Sequence, residues 1–210
     1  MVLGAIFALI VGYLLGSIPS AYLIGRLNGI DIFKIGSGNM GATNVLRALG
    51  FKWAAVVWIM DTGKGVLAVL LARMLPGDPL MNSIAGGLAA VCGHNWSLFV
   101  RLITGQLRGG KGAATAGGTW LAVFSPFIHL ILLPLSVMVA MTLATRIVSL
   151  SVLATAVSAL ILAVLFVSGT GNSYLYAVYA LLIVALVFYR HRENIQRLRE
   201  GRERRLGERA

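Results

Sequence analysis

Glycines and short polar residues crowd one stretch of the chain: Gly36-Ser37-Gly38-Asn39-Met40-Gly41-Ala42-Thr43-Asn44-Val45-Leu46-Arg47. Closely spaced glycines let successive backbone N–H groups converge on an anion, and Ser37, Asn39, Thr43 and Asn44 add short donors. A helix starting near Ala42 would aim its N-terminus at the same place. Arg47 can add a two-pronged phosphate contact. The stretch contains a formal G-x-G-x-x-G, but a dinucleotide fingerprint needs a preceding strand in a βαβ unit, and an apolar span precedes it here. The plainer alternative is a glycine-rich turn whose polar residues cap a helix. The density of donors favours a phosphate site.

A second stretch, Gly105-Gln106-Leu107-Arg108-Gly109-Gly110-Lys111-Gly112, nearly completes a Walker A pattern. Gly112 stands where a Ser or Thr would ligate Mg²⁺, and no Walker B aspartate is available. Such a loop can hold a phosphate through backbone amides and Lys111 without a metal. Its bland counterpart is a cytoplasmic loop whose charges stop transfer into the membrane, with Arg108 as a surface charge.

A third set joins Thr145, Arg146 and Ser149 to His191, Glu193 and Asn194. His191 and Asn194 lie three apart, so a helix places them on one face. They can donate to a phosphate or serve as an interfacial cap, and Arg146 can simply obey the positive-inside rule. Asp61 and Lys64 share a helix face inside an apolar run, where charges are paired or functional. A structural ion pair and a catalytic role both fit them. His94 reads first as a hydrogen-bonded structural group, and His129, among isoleucines and leucines, carries no assignment. Cys92 reads as a small core residue.

Absences narrow the chemistry. Outside the C-terminal tail only Asp31, Asp61 and Asp78 are acidic. Enzymes that hold pyrophosphate through Mg²⁺ need clustered carboxylates, so neither a metal nor a cofactor is expected. No His is followed five positions on by Asp, the pattern of acyl-CoA-dependent glycerolipid acyltransferases.

The elements that must position these residues are membrane helices. Of the 210 residues 58% are apolar and 12% charged, far from a soluble composition. A bilayer core takes roughly 20 apolar residues per helix, and the apolar runs predict seven crossings. These lie at 3–23, 53–75, 80–103, 113–125, 127–145, 148–167 and 173–190. The fourth is too short to cross unaided and reads as a half-helix or re-entrant segment, a fitting place for a site. The N-terminal run has no basic leader region and reads as a span, not a cleavable signal. Basic residues mark 26–52, 101–111, Arg146 and the tail as cytoplasmic, whereas 76–79 and 168–173 are external, which puts the N-terminus outside. Arg73 disagrees and is expected to snorkel to the outer headgroups. The expected fold is thus all-α, with a membrane domain over 1–190 and a basic cytoplasmic tail over 191–210.

The net charge of +11 gathers between spans and at the C-terminal end, where eight arginines from Arg190 onward meet four glutamates. This suits anionic lipid headgroups. Nucleic-acid binding is not expected, since it requires a basic face on a soluble domain. No internal repeat is visible, which weighs against transporters built from inverted repeats.

Taken in order, these segments resemble the bacterial acyl-phosphate:glycerol-3-phosphate acyltransferase family, the PlsY proteins. The likeness runs through Gly16-Ser17-Ile18-Pro19, Gly25-Arg26, Ser37 to Asn44, Asp61, Lys64-Gly65 and Gly93-His94. It continues through Gly109-Gly110-Lys111-Gly112, Ala114-Thr115, Thr145-Arg146, Ser149 and His191-Arg192-Glu193-Asn194-Ile195. Departures are Ser97 where the family has a proline, extra residues around 102–106, and Ala113 for a more usual valine. The resemblance implies a seven-helix inner-membrane enzyme with its site at the cytoplasmic face. It implies acyl phosphate and glycerol 3-phosphate as substrates, lysophosphatidic acid as product, and no metal or acyl-CoA. Two phosphates then enter one site, which would account for both glycine loops together with Arg47, Lys111 and Arg146. The base is open between His191 and the donor phosphate. A transporter or binding protein for a phosphate ester, and an acyltransferase with another donor, are the rival readings.

Overall fold

The computed structural model describes residues 2–171 and 173–208; Met1, Asn172, Ala210 and Arg209, the last of the tail arginines, lie outside the described residues. All regular elements described are helical, with no strand among them. The chain forms two compact units, one running up to Val123 and the other over Phe124–Glu208.

In the first unit, α1 (Val2–Ser17) and α2 (Ser20–Leu27) form one apolar stretch broken at Ile18-Pro19. Proline has no N–H and its ring clashes with the preceding turn, so the helix stops and leaves the Ile18 carbonyl to other donors. A short 3-10 turn, Ile32–Lys34, precedes α3 (Ala42–Leu49), which leads into the long α4 (Phe51–Arg73). After α5 (Pro79–Asn95) and α6 (Leu98–Thr104) comes the short α7 (Ala113–Val123). Helices α1 and α5 touch through backbone. A Cβ on Gly12 would sit 2.2 Å from the Gly86 carbonyl oxygen, and one on Gly16 2.0 Å from that of Ala90. Small residues every fourth position permit such approach between membrane helices. Helices α4 and α7 meet the same way, with Gly65 against the Thr115 carbonyl and Gly118 against that of Thr62.

The expected single span over 80–103 is two helices. Ser97 takes an extended conformation as N-cap of α6, its hydroxyl accepting from Val100 N–H at 3.2 Å and donating to the Ser17 carbonyl at 2.5 Å. One serine thereby caps a helix start and serves the end of α1. Residues 102–104 belong to the last turn of α6, which Gly105 closes with φ 73°. Arg73 has partners within the protein. It donates to Ser83 Oγ at 3.3 Å and, through Nη2, to the Ala122 carbonyl at 2.7 Å, capping the end of α7.

The second unit holds α8 (His129–Thr145), α9 (Val148–Thr170), α10 (Leu175–Arg190) and α11 (Arg192–Arg199). Arg146, with φ 59°, makes the left-handed turn between α8 and α9. Phe127 packs on Phe166 with centroids 4.5 Å apart and meets Tyr176 edge-on at 5.6 Å.

Three helical segments are long and apolar enough to cross a membrane: Val2–Leu27, Phe51–Arg73 and Val148–Thr170. A fourth arises if Leu175–Arg190 and Arg192–Arg199, bent by 62°, count together. Phe7, Ile10, Ile59, Leu132 and Leu165 are all exposed on these and neighbouring helices. Apolar surface of that extent needs lipid against it. The protein is an all-helical integral membrane protein.

Candidate active site

The first glycine loop is tied down from within. Gly36 and Gly38 take φ 59° and 65°, the left-handed region that a side chain disfavours. Asn44, buried on α3, accepts from Ser37 N–H at 3.0 Å and donates to the Ile32 and Ile35 carbonyls at 3.2 and 3.0 Å. Its amide therefore braces the loop, a use that the reading of Asn44 as a phosphate donor did not foresee. Below lie Ile32, Met40, Val45, Val57 and Val100, an apolar floor. Gly41 is the N-cap of α3, Thr43 lies in its first turn and Arg47 in its last. Ser37 is exposed at the loop tip, and Asn39 stands beside it, half-buried.

The second loop is packed against the first. Gly109, Gly110, Lys111 and Gly112 run without regular structure into the start of α7. The Gly110 N–H donates to the His94 carbonyl at 3.1 Å. A Cβ on Gly110 would lie 2.1 Å from His94 Nε2 and 2.9 Å from the carbonyl oxygen of Met40, which belongs to the first loop. At Gly109 the same atom would meet the His94 carbonyl at 2.1 Å. Gly112 has φ 77° with Asn95 Oδ1 against it. Two segments about 70 positions apart in sequence thus pack together next to two helix N-termini, α3 and α7. Lys111 is half-buried there.

Arg108 is not the surface charge that its neighbours suggested. Its guanidinium carbon lies 3.7 Å over the centre of the Phe33 ring, just before the first loop, and its Nε is buried.

Behind the second loop sits a buried ionic network. Asp61 Oδ1 accepts from Ser20 Oγ at 2.8 Å and Lys64 Nζ at 2.8 Å, with His94 Nδ1 at 3.5 Å. Lys64 also donates to the Ile18 carbonyl at 2.8 Å, the group released by the Pro19 break. The chain of contacts runs from that break through Lys64, Asp61 and His94 to Gly110. These three residues support the loop.

In the second unit, Ser149 and Asn194 meet at a partner the sequence did not reveal. Glu203 Oε1 accepts from Ser149 Oγ at 2.7 Å and Asn194 Nδ2 at 2.5 Å, while Oε2 accepts from Arg197 Nε at 2.7 Å. Burial alone would push this carboxyl up. The three hydrogen bonds and the Arg197 charge outweigh it and hold the group below the usual carboxylate range. The tail then closes on the α8–α9 turn, Leu206 N–H donating to the Arg146 carbonyl at 2.7 Å and Arg146 Nη2 to the Leu206 carbonyl at 2.9 Å. The Nδ1 of His191, a buried residue at the α10–α11 bend, lies 2.8 Å from the Val187 carbonyl. A carbonyl only accepts, so Nδ1 carries a proton and Nε2 is the nitrogen able to take one. Among the described residues no three His, Cys, Asp or Glu side chains gather as a metal-binding set.

The family model of glycerol-3-phosphate acyltransferases matches residues 6–201. A glycerol-3-phosphate acyltransferase of Thermus thermophilus is 45% identical over 207 residues, covering 98% of this chain and 97% of its own. Glycerol-3-phosphate acyltransferase 1 of Deinococcus radiodurans is 42% identical, covering 99% and 98%. The crystal structure of PlsY, an integral membrane glycerol 3-phosphate acyltransferase, superposes in its glycerol 3-phosphate form with a TM-score of 0.83 at 41% identity. That match covers 97% of this chain and 96% of the other. The lysophosphatidic acid form of the same enzyme gives a TM-score of 0.81. With its glycine loops, its helix order and these relatives in agreement over nearly the whole length, the chain belongs to the glycerol-3-phosphate acyltransferase family.

Proposed function

We propose that this chain transfers an acyl group from an acyl phosphate to the 1-hydroxyl of sn-glycerol 3-phosphate, giving 1-acylglycerol 3-phosphate (lysophosphatidic acid) for phospholipid synthesis. The observation that carries this reading is the contact between the two glycine-rich loops at Met40 and Gly110. Acceptor and donor each bring a phosphate, and backbone amides, helix N-termini, Ser37, Arg47 and Lys111 supply donors without a carboxylate cluster. The hydroxyl oxygen attacks the anhydride carbonyl carbon, the bond from that carbon to the phosphate oxygen breaks, and inorganic phosphate leaves with the hydroxyl proton. Phosphate is already a good leaving group, so positioning and charge stabilisation dominate. The Gly36, Asn39, Gly41 and Thr43 loop and the Gly109 and Gly112 loop act through their backbone and short side chains, while Gly38 and Gly110, whose N–H groups donate to the Ile35 and His94 carbonyls, shape the two loops. Asn44 holds the first loop in shape. We assign the hydroxyl proton to Nε2 of His191 and a substrate phosphate to Arg146; Ser149 and Asn194 reach that phosphate only by exchanging for it the Glu203 carboxylate they hold here.

Purified protein given radiolabelled glycerol 3-phosphate tests the donor. Acyl phosphate should yield labelled lysophosphatidic acid in excess EDTA, and acyl-CoA should yield none. Turnover with acyl-CoA, a requirement for added Mg²⁺, or binding without turnover would each overturn the reading.

We place the enzyme in the bacterial inner membrane with seven crossings, the N-terminus outside, and the site and the basic tail facing the cytoplasm, where anionic lipids attract the arginines. In a Cys92→Ala background, cysteine at Gly77 should react with an impermeant thiol reagent outside intact cells. Cysteine at Asn28 or Gln196 should not. The reverse pattern would invert the site.

A further inference from the structure

Arg108 sits at the junction of the two loops, directly before Gly109, and its guanidinium is stacked 3.7 Å over Phe33, directly before the first loop. Its backbone is pinned, the carbonyl accepting from Ser97 N–H at 3.4 Å. A guanidinium that gives its face to an aromatic ring keeps its edge, with five coplanar N–H donors, for another partner. No carboxylate among the described residues lies within ion-pair distance of it. Its Nε is buried with no hydrogen-bond partner among them. A buried donor left unmatched inside a protein is unfavourable, and its retention calls for a ligand or a structural reason. Stacking alone would explain the ring contact but not the unmatched Nε.

We propose that Arg108 is a phosphate-binding residue of the acyl-transfer reaction, held face-on by Phe33 so that its N–H edge takes the phosphate of a substrate. The inference rests on the two-loop reading above and adds to it a cation that the glycine-lysine pattern does not include. The acceptor is a phosphate monoester and the donor an acyl phosphate anhydride, both with negatively charged terminal phosphate oxygens, and a planar fork matches either through paired N–H···O bonds. Phe33 is a positioning residue here. It fixes the plane of the fork and so lowers what must be ordered on binding.

The test uses the full-length enzyme in detergent, with Arg108→Gln, Arg108→Lys, Phe33→Leu and the double variant Arg108→Gln/Phe33→Leu. The Michaelis constant is measured for each substrate with the other saturating, together with inhibition by inorganic phosphate. Arg108→Gln should raise KM for one of the two substrates at least tenfold with kcat within about threefold, and the substrate affected names the phosphate. Inhibition by inorganic phosphate should weaken in parallel. Arg108→Lys keeps the charge and the fold but not the fork, and should recover only part of the loss. Phe33→Leu should raise the same KM by a smaller factor, and should add little in the double variant because both act through one contact. If both KM values and phosphate inhibition stay within twofold in Arg108→Gln, or in Arg108→Lys should the first not fold, Arg108 is a structural staple only and the inference fails. Lys111→Met measured alongside separates the two claims. A damaged Lys111→Met beside a normal Arg108 variant sinks this inference alone, whereas normal behaviour of both sinks the two-loop reading.

Discussion

Gly110 lies so close to His94 that a single methyl group would stand 2.1 Å from the imidazole Nε2. The imidazole Nδ1 faces Asp61 Oδ1 at 3.5 Å, so the ring cannot retreat without pressing on a buried ion pair. Gly110→Ala must push the loop outward, away from Met40. Forced overpacking costs about 1–3 kcal/mol, and if that falls on loop position, kcat/KM should drop on the order of 10–100-fold. Gly117→Ala is the control, since nothing lies within 4 Å of a Cβ there. Steady-state kinetics on both variants decides it. Equal activities would mean that the loop adapts freely.

Asp61 and Lys64 are both buried and 2.8 Å apart. Removing one partner of a buried pair strands the other charge. Asp61→Asn should therefore destabilise the protein by about 3–5 kcal/mol, and adding Lys64→Met should recover part of the loss. Denaturant unfolding in detergent micelles measures both. A loss below about 1 kcal/mol for the single variant would show that the pair is not what anchors His94.

The Glu203 clamp gives a pH dependence with a definite sign. Its carboxyl is held below the ordinary carboxylate range in the folded protein, chiefly by Ser149, Asn194 and Arg197 against the opposing effect of burial. A depressed folded value contributes stability that is present above the unfolded value, near 4.3, and lost as pH falls through the folded one. The difference in unfolding midpoint between the native chain and Glu203→Gln should be constant from about pH 5.5 to 8 on this principle, and should shrink below about pH 4. Trypsin should also cut the variant faster after Arg202 and Arg204, because the tail no longer closes on Arg146. A difference that grows on acidification would contradict the clamp.

The parts legible in the sequence are those with local causes. Charge-free runs marked the helices and glycine spacing marked both loops, because each effect acts within a few residues, although the span read over 3–23 runs through the break at Pro19. What stayed hidden depends on distant partners. Ser97 read only as a departure from a family proline inside a single span until Ser17, 80 positions earlier, appeared as the acceptor of its hydroxyl. Arg108 read as a surface charge because nothing local announces Phe33 as its platform. Asn44 carries the residue type of a phosphate donor, yet its amide serves Ser37, Ile32 and Ile35 within its own loop. Glu203 was one of several tail charges, and only the folded tail shows it bonded to two of the candidate phosphate ligands, Ser149 and Asn194.

Lys111 tests the central claim most directly, because the two-loop site stands or falls with its cation. If Lys111 neutralises a substrate phosphate in a partly dry site, Lys111→Met removes a charge-assisted contact worth roughly 2–4 kcal/mol in the transition state. The measurement is kcat/KM for glycerol 3-phosphate with saturating acyl phosphate, on variants first shown to be monodisperse and folded in detergent. It should fall on the order of 10²–10³-fold in Lys111→Met. Lys111→Arg should also be impaired, since a planar fork does not fill an ammonium-shaped site. Arg101→Ala, at an exposed position on α6, should change it by less than about tenfold. Near-native turnover by well-folded Lys111→Met would contradict the account and leave the glycine-lysine loop as a simple membrane-flanking turn.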